Sequence, residues 1–115
     1  MSSPISIFEE IKKINDFHSE YWSARQLAKV LEYADYRNFE TVIKKAKESC
    51  KNSGQSIPDH FVDLTDMITV GKTASREINN THLSRYACYL IMQNADPSKE
   101  IIALGQTYFA IQTRR

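Results

Sequence analysis

Between residues 23 and 52 the apolar positions fall into two runs of helical spacing. Leu27, Val30 and Leu31 make the first, opened by Ser23, whose hydroxyl is placed to accept the backbone N–H of Gln26. Phe39, Val42, Ile43, Ala46 and Cys50 make the second; they lie within about 100° of one another on a helical wheel and form a core-facing stripe. Arg37, Thr41, Lys44, Glu48 and Lys51 take the opposite side, and Asp35 is the expected cap. Upstream, Ile7, Phe8, Ile11 and Ile14 predict a short helix ending near Asn15, then a brief extended piece over Glu20–Trp22. The last third reads as two more helices. Ser84 caps RYACYLIMQNA with Leu83 as a hydrophobic staple on Cys88. Residues 94–97 break this helix, and Asp96-Pro97 starts the next, with Ile101, Leu104, Tyr108 and Ile111 on one stripe.

The middle of the chain changes period. KNSGQSIPD, residues 51–59, clusters loop formers, and MITVG and REINNTHL then alternate and are rich in Ile, Thr and Val. This predicts a small hairpin of residues 67–71 and 76–82 around GKTAS. The expected fold class is α+β, mainly helical, with about five helices and a small antiparallel β-hairpin, forming a single domain over residues 1–115. Because the chain stops without a helix-ending Gly or Pro, the natural protein is expected to continue past residue 115.

Composition adds limits. A chain of 115 residues with 42% hydrophobic and 25% charged content is an ordinary globular domain, able to bury about 65% of its unfolded surface. It has no apolar run long enough to span a bilayer, and its acidic N-terminus does not read as a signal peptide, so no membrane partner and a cytoplasmic location are expected. Two cysteines without CxxC spacing read as small apolar residues. The net charge of +1 hides an uneven distribution. Residues 37–54 carry five basic side chains against Glu40 and Glu48, a net +3, and Asp59, Asp63 and Asp66 follow at once.

The basic segment carries the main candidate chemistry. If residues 23–52 are a helix-turn-helix, Tyr36, Arg37 and Asn38 stand at the tip that meets base edges, while Lys44, Lys45 and Lys51 hold phosphates. The alternative is a solvated face on which Glu40, Lys44 and Glu48 form a ladder of i, i+4 ion pairs. Lys72 and Arg76, with Thr73 and Ser75, form a hairpin tip suited to sugar-phosphate or simply to water; Arg114 and Arg115 are further cations, and no P-loop precedes Gly71-Lys72-Thr73. Arg85 opposes the helix dipole in the first turn of its helix, and Asp63 or Asp66 is its expected partner. Trp22, Tyr86, Tyr89, Tyr108 and Phe109 read as core, whereas Tyr33 and Tyr36 are the more exposed aromatics for base stacking. On one helix face Asp59, Asp63 and Asp66 would form an acidic surface or, remotely, the metal site of a nuclease. His18, His60 and His82 lack zinc spacing, and Cys50 has no adjacent base. The expectation is a noncatalytic domain without cofactor or metal.

YWSARQLAKVLEY, KAKESCKNSG and above all LSRYACYLIMQNADPSKEIIALGQTYFAIQTRR resemble the N-terminal domain of the bacterial DNA-damage-inducible protein D family, itself similar to the N-terminal domain of the Bro proteins of large DNA viruses and phages. The resemblance covers nearly the whole chain. It implies a bacterial cytoplasmic protein of the SOS response and, through the viral domain, DNA binding. Single- or double-stranded DNA is the implied partner; a recombinase–DNA filament, met by the acidic residues 59–66, is the alternative. One departure is local: Glu32 stands before Tyr33 where a glycine is expected to end the helix.

Overall fold

The computed structural model describes residues 6–113. Six helices and a four-stranded antiparallel sheet occur among them, so the single small hairpin expected from the sequence is corrected to a larger sheet within an α+β fold. In chain order the elements are α1 (Ser6–Glu10), β1 (Lys13–Ile14), β2 (Glu20–Ser23), α2 (Ala24–Val30), α3 (Tyr36–Asn52), α4 (Ile57–His60), β3 (Phe61–Val70), β4 (Ala74–Leu83), α5 (Arg85–Asn94) and α6 (Glu100–Thr113). The sheet order is β1-β2-β4-β3. Thus β2, some sixty residues upstream, pairs through Trp22↔Leu83 and Ser23↔His82 with the strand that closes the hairpin.

The first helix is shorter than its apolar spacing suggested, ending at Glu10; Ile14 belongs instead to β1 and stands 56% exposed. The last helix starts at Glu100 rather than at Pro97, because Asp96 first caps a separate turn by accepting the N–H of Ser98. The three expected N-caps form. Ser23 accepts from Gln26 N, Asp35 from Arg37 N and Ser84 from Ala87 N.

One core lies between the inner face of the sheet and the helices. Phe8, Trp22, Leu27, Leu31, Phe39, Leu83, Ile91, Met92, Ile102 and Phe109 are fully buried in it, and both cysteines are buried and unpaired. Trp22 donates its indole N–H to the Phe8 carbonyl at 2.8 Å and meets Phe109 edge-on at 5.2 Å. A Cβ on Gly105 of α6 would come within 2.7 Å of the Met92 sulfur and 3.2 Å of the Phe8 ring, so this glycine is what lets α6 approach α5 closely. Arg85 finds its partner in Glu20, not in Asp63 or Asp66. Its guanidinium donates to both carboxylate oxygens at 2.6 and 2.8 Å, and it lies over the rings of Trp22 and Tyr108. That fork offsets the unfavourable position at a helix N-terminus and ties β2 to the helical layer.

Candidate nucleic-acid interface

The expected hairpin of residues 67–71 and 76–82 is part of a ribbon ten residues long on each side, paired from Phe61↔Leu83 to Val70↔Ala74. Strand pairing places Phe61, Asp63, Thr65 and Met67 on one face with Leu83, Thr81, Asn79 and Glu77, and Val62, Leu64, Asp66 and Ile68 on the other with His82, Asn80, Ile78 and Arg76. Asp63 and Asp66 therefore point to opposite faces, and the shared acidic helix face does not form. Asp63 accepts from Thr81 Oγ1 and Lys47 Nζ on the inner side. Burial raises its carboxyl, but those hydrogen bonds and the Lys47 charge outweigh it, so its pKa falls below the ordinary value. Asp66 accepts from Asn80 on the outer side. The acids looked helical because Asp is a poor strand former, and only tertiary partners make it acceptable there.

Asn80 fixes the base of the ribbon. It is 5% exposed, and its amide is saturated: Oδ1 accepts the N–H groups of Arg25 and Thr81, and Nδ2 donates to Ser23 Oγ and Asp66. Beyond it the ribbon leaves the body. All residues from Met67 to Glu77 are exposed, whichever face they project from.

Helix α3 lies beside this base. A cleft of about 300 Å³ between them is lined by Tyr36, Glu40, Lys44 and Lys47 on the helix and by Asp63, Asn79 and Thr81 on the ribbon. The Lys47–Asp63 bridge closes one end. Arg25 closes the other, with its guanidinium 3.8 Å above the Tyr36 ring and its Nε donating to the Asn79 carbonyl at 2.8 Å. The N-terminal turn of α3 thus lies at the end of the cleft from which the ribbon departs. Burial is the chief cause that pushes the Tyr36 hydroxyl up to about 12.

The predicted contact residues sort by this geometry. Arg37 and Asn38 are exposed at the first turn of α3, Arg37 in a surface pair with Asp35. Tyr36 is half-buried, its ring occupied by Arg25, and Tyr33 is likewise half-buried, with Lys99 Nζ 4.6 Å from its ring. Lys44, Lys45 and Lys51 are exposed, and none forms an ion pair among the described residues. The ladder of Glu40, Lys44 and Glu48 is therefore absent. Lys72 occupies the turn after Gly71, whose φ of 72° opens it, while Arg76 stands opposite Ile68 on the ribbon face that also carries Ile78 and Asn80. Arg114 and Arg115 lie outside the described residues. Sequence reading missed Arg25, Asn79 and Asn80, which are brought together by hydrogen bonds spanning more than fifty residues.

Residues 10–110 match the BRO family, N-terminal domain. The chain belongs to that family. Over 108 residues, 94% of its length, this Bro-N domain is 58% identical to DNA damage-inducible protein D of Escherichia coli (strain K12), and it spans 39% of that protein. No solved structure matches it. Among the described residues of the Bro-N domain, no helix is long and apolar enough to cross a membrane.

Proposed function

We propose that this Bro-N domain is a noncatalytic nucleic-acid-binding module of the bacterial DNA-damage (SOS) response, working in the cytoplasm and holding DNA through α3. The observation that carries the reading is the state of the α3 cations. Lys44, Lys45 and Lys51 are exposed and form no ion pair among the described residues, beside a first turn that presents Arg37 and Asn38. Unpaired surface lysines gain from releasing the counterions of a phosphate backbone, whereas those already bridged to acids would gain little. A link to DNA damage is carried by the name of the Escherichia coli relative. Attachment to a recombinase filament through an acidic face draws less support, since Asp63 and Asp66 are turned apart and each is hydrogen-bonded.

The test is oligonucleotide affinity against salt. Affinity should fall linearly on a log–log scale, and replacing Lys44, Lys45 and Lys51 together with alanine should make the slope shallower by about three. Lys44→Glu with Lys45→Glu should abolish binding at moderate salt. Affinity indifferent to salt and to these charges would remove the basis of the reading.

A further inference from the structure

The distal ribbon buries nothing within the domain. From the Thr65↔Asn79 pair to Lys72 it extends about 20 Å, at about 3.3 Å per residue. Met67, Ile68 and Val70 are 60%, 41% and 46% exposed along it. An unsupported two-stranded ribbon is marginal in water, and β-branched apolar residues on its surface stabilise nothing unless a partner covers them. From Met67 to Glu77 the arm carries Lys72 and Arg76 against Glu77, a net +1, and Asp63 and Asp66 nearer the base are already hydrogen-bonded.

We infer that the ribbon tip enters the minor groove of duplex DNA on the flank of the segment held by α3. This rests on the nucleic-acid reading above and names its partner as a double helix. Charge favours this occupant: Lys72 at the turn and Arg76 beside it give the end of the arm two cations suited to phosphates. The minor groove, about 6 Å wide, has to open to take a two-stranded ribbon, and it opens where apolar side chains wedge into base steps. Ile68 stands directly opposite Arg76 on the outer face, with Val70 two residues further on, so the tip offers a cation for the groove and an apolar edge for its floor. Arg25 and Asn80 anchor the ribbon beside α3, so both elements can reach one duplex.

The experiment is dimethyl sulfate footprinting of the whole domain on a duplex, which reads guanine N7 in the major groove and adenine N3 in the minor groove. Variants are Lys72→Ala with Arg76→Ala, and Ile68→Thr with Val70→Thr, each checked for an unchanged circular dichroism spectrum. Native protein should protect adenine N3 on the flank. Both variants should lose that protection while keeping the guanine N7 pattern under α3, and the double alanine should make the salt slope shallower by about two. Flank protection absent in native protein, or unchanged in both variants, overturns the inference while leaving the α3 reading intact. A concentration-dependent dimer that the ribbon variants abolish would also overturn it, assigning the arm to a second copy. Loss of all binding on Lys44→Glu with Lys45→Glu tests the α3 reading separately.

Discussion

Arg25 lies 3.8 Å above the ring of Tyr36 and at the same time donates to the carbonyl of Asn79, so one side chain of α2 holds the start of α3 against the base of the ribbon. Each contact is modest alone, but together they join three elements at the point where the candidate interface divides. Arg25→Ala should cost about 1–2 kcal/mol in denaturant unfolding, from the lost cation–π contact and hydrogen bond. Arg25→Lys should recover less than half of this, because an ammonium cannot both stack on Tyr36 and reach Asn79. A lysine variant of native stability would show that charge alone suffices.

Asn80 has a different kind of importance. All of its amide hydrogen-bonding capacity is used inside the protein, so Asn80→Ala leaves the N–H groups of Arg25 and Thr81 without an acceptor and should cost about 3 kcal/mol. Asn80→Asp keeps the acceptors but sets a carboxylate against Asp66, now 2.7 Å from the amide nitrogen. It should destabilise too, and adding Asp66→Asn should restore most of the loss. Simple additivity in that double-mutant cycle would contradict the pairing.

Glu32 ends α2 in the left-handed region, at φ 66°. Tyr33 N–H reaches the Ala28 carbonyl and Glu32 N–H the Lys29 carbonyl, the two bonds of a Schellman motif. A residue with a Cβ costs about 1–2 kcal/mol there, against about 0.5–1 kcal/mol of extra unfolded-state entropy for glycine. Glu32→Gly should therefore raise stability by about 0.5–1 kcal/mol, whereas Glu32→Ala should raise it little. Thermal melts of the two variants decide the matter, and an equal gain in both would assign it to charge.

His82 stacks on Tyr21 with ring centroids 4.3 Å apart. Burial lowers its pKa from the ordinary 6.5; nearby Asp66 opposes this, and Lys13 adds to it. The unfolded chain thus binds a proton more readily than the folded one. Stability from this group is complete above about pH 6.5 and declines as pH falls toward and through the lower folded value. The melting temperature should drop between about pH 7 and about pH 5, less steeply in His82→Gln. Parallel profiles for the two proteins would exclude His82 as the source.

The sequence by itself determined the local features. Caps at Ser23, Asp35 and Ser84, the buried stripe of α3 and the strand spacing from residue 67 are set by neighbours within a few positions, and period and cap chemistry expose them. The same reach identified Arg37, Lys44, Lys45 and Lys51 as surface cations. Tertiary structure decided everything that depends on distant partners. Asp63 and Asp66 became strand residues through Lys47, Thr81 and Asn80, Arg85 went to Glu20, and β2 paired with β4. Lys44 stays out of an ion pair among the described residues because folding brings no acid to it. Such pairings are set by where packed elements bring side chains together, and no spacing along the chain encodes that.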